Sequence, residues 1–142
     1  TTTVGNSLTL LSTSIENMIG GSLNDNLTAN SFNNTLTGGP GNDSLSGGAG
    51  DDVYLFDADL SLGTDTITDP SGVDTFDLSS TSASVIVDLG ATGDQTVVAG
   101  KLVLSSLSGN AIENVIGGSG ADTLTGNGLD NSLTGGGGKA PL

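Results

Sequence analysis

The chain has 142 residues, 24 of them glycine, with three Phe, one Tyr and no Trp, fewer aromatics than a compact core of this length would normally hold. Sixteen acidic residues face only Lys101 and Lys139, a formal charge of -14, which argues against nucleic-acid or anionic-membrane binding through a basic patch and for cations as partners. The absence of His and Cys excludes a Ser/His/Asp triad, a Cys/His dyad, an HExxH zinc site and a disulfide framework within this sequence.

In chain order, residues 1–14 (TTTVGNSLTLLSTS) alternate around Leu8 and Leu10, which predicts a strand. IENMIGGS follows at 15–22. From Gly20 a nine-residue frame sets in: GGSLNDNLT at 20–28, ANSFNNTLT at 29–37, GGPGNDSLS at 38–46 and GGAGDDVYL at 47–55. Each unit is a six-residue turn followed by a three-residue strand. The eighth position holds Leu27, Leu36, Leu45 and Tyr54, and it points to the opposite side of the strand from its neighbours, so it can be buried.

Residues 56–111 lose the glycine rule but still read as short strands at 65–68, 73–78, 84–89, 95–99 and 101–105, punctuated by Gly, Ser and Pro70. They are read as further coils of a solenoid with larger turns, or as a small β-sandwich insert. Continuous winding is preferred, because Asp65 and Asp74 open Asp-Thr-apolar triplets like Asp122-Thr123-Leu124. IENVIGGS at 112–119 repeats 15–22, and the nine-residue frame returns as GGSGADTLT (117–125), GNGLDNSLT (126–134) and GGGGKAPL (135–142). The eighth positions there are Leu124, Leu133 and Leu142. Aligning 13–45 with 110–142, an offset of 97, gives 18 identities in 33 positions, so a repeat of about a hundred residues overlies the nine-residue one. The expected division is 1–19 as the end of a preceding repeat, 20–55 as a first nonapeptide block, 56–116 as an intervening β-rich segment and 117–142 as a truncated second block.

Full matches to GGxGxDxUx at 38, 47 and 117, in phase with four degraded copies, resemble the RTX (repeats-in-toxin) family of secreted bacterial calcium-binding proteins. A flexible Gly/Ser linker would have no reason to keep an apolar residue at every ninth position. The resemblance covers somewhat under half the chain. It implies an all-β fold, a right-handed parallel β-roll or β-solenoid, and Ca2+ as cofactor. It also implies sixth-position ligands Asp43, Asp52 and Asp122, with carbonyls from Gly38, Gly39, Gly41, Gly47, Gly48, Gly50, Gly117, Gly118 and Gly120.

In such a two-sheet roll, turns two repeats apart stack on one edge, so Asp25 should lie near Asp43 and Asn34 near Asp52. Stacked strands are ~4.8 Å apart, and two carboxylates at that separation repel by about 3 kcal/mol at an effective dielectric near 20. A hard dication taking six to eight oxygens relieves this, and calcium suits such turns better than magnesium. Asp25 is accordingly a further candidate ligand. Leu23, Phe32 and Leu129 at the fourth position predict turns pulled inward to bury a side chain. Lys139 and Ala140 predict a final turn without a second carboxylate. Asp51, Asp57, Asp59, Asp69, Asp77, Asp88, Asp94 and Asp130 read as solvated turn residues, and Glu16 and Glu113 as hydrogen-bonding to an adjacent turn.

No GxSxG, phosphate-binding loop or sugar platform accompanies the acidic residues, so the chain is not expected to be an enzyme. No apolar run is long enough to span a membrane. The expectation is a segment of a longer secreted or cell-surface protein, folding on calcium after type I-like export. It would serve as a rigid stalk, adhesin or filament element, possibly self-associating end to end. The alternative is a folding and secretion module of a larger exported enzyme or toxin; an ice- or polysaccharide-binding face formed by the Thr rows is a lesser reading.

Overall fold

The computed structural model describes residues 8–9, 16–108 and 111–138. Within them the nine-residue rhythm appears directly as strands: β1 (Leu8–Thr9), β2 (Asn17–Ile19), β3 (Asn26–Thr28), β4 (Thr35–Thr37), β5 (Ser44–Ser46) and β6 (Val53–Leu55). The intervening segment supplies β7 (Gly63–Thr68), β8 (Thr75–Asp77), β9 (Ile86–Asp88), β10 (Thr92–Val98) and β11 (Leu102–Ser108). The last strands are β12 (Asn114–Ile116), β13 (Thr123–Thr125) and β14 (Ser132–Thr134). The described residues are all β. The calls on Leu10, Lys139, Ala140 and Leu142 lie outside them.

From β1 to β8, successive strands go to opposite sheets. One sheet has the order β1-β3-β5-β7-β11-β10 and the other β14-β12-β8-β6-β4-β2, with β9 and β13 forming a separate pair. All pairings are parallel except β10 with β11. This is a parallel β-roll. Strands β7, β8, β11 and β12 extend the same two sheets, and the β10–β11 hairpin closes one end of the first.

Register converts the eighth-position rule into a core. Met18, Leu36, Tyr54, Phe76 and Val115 are Cα partners in succession across one sheet, and Leu27, Leu45 and Ile67 across the other. All eight are buried. The rings of Tyr54 and Phe56 meet Phe76 edge-on at 5.9 and 5.8 Å, an arrangement their quadrupoles favour. A thin apolar seam of this kind suffices because each coil packs only on its neighbours. The seventh and ninth positions face outward, with Ser44 and Thr123 exposed and Thr35 and Thr37 half-buried.

The inward turns expected at Leu23, Phe32 and Leu129 do not occur. These side chains are 66%, 50% and 44% exposed. The turn interior is filled by carbonyls and carboxylates, so an apolar group there would displace oxygens that have nowhere else to go.

Candidate metal centre

The sixth residues Asp25, Asn34, Asp43, Asp52 and Asp122 are buried in the roll, whereas Asn131 is exposed, and the stacked carboxylates do two different things with their two oxygens. One oxygen accepts a backbone N–H from the turn stacked against it: Asp25 donates to Asp43 Oδ1 (2.8 Å), Asn34 to Asp52 Oδ1 (2.7 Å), Asp43 to Asp65 Oδ1 (3.0 Å) and Asp52 to Asp74 Oδ1 (2.8 Å). Asp74 donates in turn to Glu113 Oε2 (2.8 Å), and Val85 to Asp122 Oδ1 (3.0 Å). Two ladders result, Asp25–Asp43–Asp65 and Asn34–Asp52–Asp74–Glu113.

The second oxygen has no such partner. Asp43, Asp52, Asp65 and Asp122 each bury an Oδ2 that receives no hydrogen bond. An isolated buried anion is costly, and Asp43, Asp52 and Asp65 respond by holding their protons more tightly. Burial pushes Asp65 up to about 7 and Asp52 up to about 6, each with a neighbouring carboxylate adding to it, and Asp43 also rises.

The glycines set the close approach around these oxygens. A Cβ on Gly38 would collide with Asp43 Oδ2, one on Gly47 with Asp52 Oδ2, and one on Gly117 with Asp122 Oδ2. At Gly39 (φ 95°) and Gly48 (φ 101°) the backbone is left-handed, and each sits directly over a carbonyl of the turn below, Gly21 and Asn30 respectively. Gly41 and Gly50 sit likewise over the carbonyls of Leu23 and Phe32. The fourth-position departures thus keep their carbonyls in the column while their side chains point to solvent.

The donor set in these turns is carboxylate and carbonyl oxygen, with no nitrogen or sulfur ligand available from His or Cys. That chemistry fits calcium, which takes hard oxygens in a flexible shell.

The expected pairings of Asp25 with Asp43 and of Asn34 with Asp52 are both present. Gly38, Gly39, Gly41 and Asp43 share one rim of the roll; Gly47, Gly48, Gly50 and Asp52 share the other. Asp122 with Gly117, Gly118 and Gly120 stands apart from both. Its turn stacks on residues 81–85 of the intervening segment, with Gly118 over the Thr81 carbonyl and Gly120 over that of Ala83. Gly136 and Gly138 then stack over Gly118 and Gly120.

Glu113 hydrogen-bonds to the adjacent turn as expected, but sequence reasoning did not place it, Asp65 or Asp74 as rungs of the ladders. The signal was present, since each stands two residues before a buried Ile67, Phe76 or Val115, as the sixth position stands before the eighth. A four-residue insertion hid it, stretching the coil from 18 residues (Asp25 to Asp43) to 22 (Asp43 to Asp65). Asp69 is a further correction. It is half-buried and accepts a hydrogen bond from the Tyr54 hydroxyl (2.7 Å), because the turn it opens folds back over Gly47.

Four copies of the RTX calcium-binding nonapeptide repeat match residues 19–54. The family model described as Peptidase M10 serralysin C terminal matches residues 64–135, just over half of the 142-residue chain. Searches of the curated proteins and of the solved structures returned no match. With sixth-position carboxylates stacked in parallel coils and calcium as the metal of its repeats, the chain belongs to the RTX calcium-binding family and, through residues 64–135, to the serralysin C-terminal group.

Proposed function

We propose that this chain is a non-catalytic, calcium-folded structural segment of a larger secreted or cell-surface protein. The observation that carries the reading is that, among the described residues, four buried carboxylate oxygens lack partners, those of Asp43, Asp52 and Asp122 in the glycine turns and that of Asp65 in β7 beside them. On this reading the ligands are Asp25, Asp43, Asp52 and Asp122, with carbonyls of Gly38, Gly39, Gly41, Gly47, Gly48, Gly50, Gly117, Gly118 and Gly120. The blocks 20–55, 56–116 and 117–142 act as one solenoid. Where calcium is scarce, mutual repulsion of the buried carboxylates keeps the acidic chain open, a state suited to export. At the 10⁻⁴ to 10⁻³ M range in which extracellular calcium modules work, binding free energy becomes folding free energy.

Two uses of such a segment are compatible with this mechanism. As a stalk, adhesin or filament element it would expose strand edges for end-to-end growth, which the hundred-residue superrepeat favours. As the folding and export module of a larger enzyme it would have no need of assembly, and the match over 64–135 favours this second use. Circular dichroism in excess chelator and after calcium addition tests the common mechanism: β signal is expected to vanish and return. A spectrum indifferent to chelation removes the reading. Fibres in electron micrographs of the calcium-loaded chain select the first use, and uniformly single particles the second.

A further inference from the structure

The turn at 69–74 reads DPSGVD, where the nonapeptide turn stacked against it, 47–52, reads GGAGDD. Asp69 therefore stands 22 residues after Gly47, as Asp74 stands 22 after Asp52, and an acid occupies the place of the first glycine. Its carboxylate faces back into the neighbouring turn: the Cβ direction of Gly47 is occupied by Asp52 Oδ2, Asp69 Oδ2 and the Tyr54 hydroxyl together. The carboxylates of Asp52, Asp69 and Asp74 each offer an oxygen within 4.8 Å of the others. Asp52 is fully buried, and its Oδ2, aimed into this space, has no hydrogen-bond partner. Tyr54 fixes the arrangement, receiving the Gly47 N–H (2.9 Å) and donating to Asp69 Oδ2 (2.7 Å).

Along the other ladder each interval holds two acids, Asp25 with Asp43 and Asp43 with Asp65. Here there are three, and calcium affinity rises with the charge of the ligand set. We propose that Asp52, Asp69 and Asp74 form a three-carboxylate calcium site, the first of the chain to fill, with Tyr54 as the residue that positions Asp69. This rests on the calcium-folding reading above and adds to it a specific site and an order of filling. The same charge and oxygen set suits a trivalent lanthanide of similar size.

Tyr54 is the single tyrosine of a chain without tryptophan, so tyrosine-excited terbium emission reports on this site from within. Terbium added to the full chain is expected to give emission saturating near one ion per chain. Asp69→Asn, which keeps an oxygen for the Tyr54 hydrogen bond, should require about tenfold more terbium for half-maximal emission. Asp94→Asn, removing the same charge from an exposed position, should titrate as the parent does. Emission midpoints within twofold for parent and Asp69→Asn, or no tyrosine-excited emission from a chain that calcium still folds, overturn the site alone. A chain in which calcium induces no β structure overturns the proposed function and the site with it. Hydrogen exchange of the parent chain at limiting calcium needs no variant: protection of 47–54 and 69–74 should precede that of 117–122, and the reverse or simultaneous order overturns the proposal.

Discussion

A carboxylate cut off from water must be protonated, hydrogen-bonded or coordinated, and Asp43, Asp52, Asp65 and Asp122 satisfy only one of their two oxygens within the protein. For Asp43, Asp52 and Asp65, whose carboxyls burial raises, protonation therefore competes with metal. In the metal-free fold Asp52 and Asp69 are raised to about 6 and Asp65 and Asp74 to about 7, from 3.8, burial being the first cause in each case. The folded form thus holds protons that the unfolded chain has released. Its stability from these groups is fully present below about pH 4 and is lost as pH rises through 6 to 7. In excess chelator, the β signal in circular dichroism that is absent at pH 7.5 should return in part at pH 5. With calcium the sign reverses, and the calcium midpoint should rise as pH falls from 7.5 to 5.5. Replacing Asp43 by Ala also strands the Asp25 N–H, a loss of about 1–3 kcal/mol. It should raise the calcium midpoint about tenfold, whereas Asp130→Ala, at an exposed position, should leave it nearly unchanged in the same titration.

At the scale of the element, a three-residue strand has one side chain with which to hold its place, the central one. Leu36 is completely buried between Met18 and Tyr54 of the adjacent strands, so Leu36→Ala should cost about 2–5 kcal/mol in calcium-loaded urea unfolding. Leu23→Ala, at a position the sequence marks as a buried departure but the fold leaves 66% exposed, should change stability by no more than about 0.5 kcal/mol. The contrast was not legible beforehand. Leu23 and Leu36 are the same residue type thirteen positions apart, and only the filling of the turn by carbonyl oxygens turns the first outward. Asp69 was misjudged for a related reason: an Asp-Pro-Ser-Gly run reads as an exposed turn, and nothing local reveals that Tyr54 reaches it from 15 residues away.

Across the whole molecule, ligand binding to the folded state alone adds about 1.4 kcal/mol per site for each tenfold rise in free calcium well above the dissociation constant. With carboxylates stacked on several turns, the unfolding free energy plotted against the logarithm of free calcium should be steeper than that single-site slope. A measured slope at or below one site would mean that no more than one calcium site is coupled to folding. The β10–β11 hairpin makes the two ends of the roll unlike. The first sheet finishes in an antiparallel strand, while the second continues to β14.

The sequence alone determined the strands and turns of the nine-residue period and, through the RTX resemblance, the all-β parallel roll, the metal, and the stacking of Asp25 on Asp43 and Asn34 on Asp52. It could do so because a period of nine fixes strand, turn and facing direction at once, and every coil repeats the same local decision. Tertiary structure decided whatever the period does not reach. The 22-residue coil that brings Asp65 and Asp74 into the ladders, the pairing of the Asp122 turn with residues 81–85, and the convergence of Asp52, Asp69 and Asp74 depend on how an irregular stretch is accommodated by the coils beside it. That accommodation is made through backbone N–H to carboxylate hydrogen bonds between residues 22 to 39 apart, a spacing that the nine-residue period does not set.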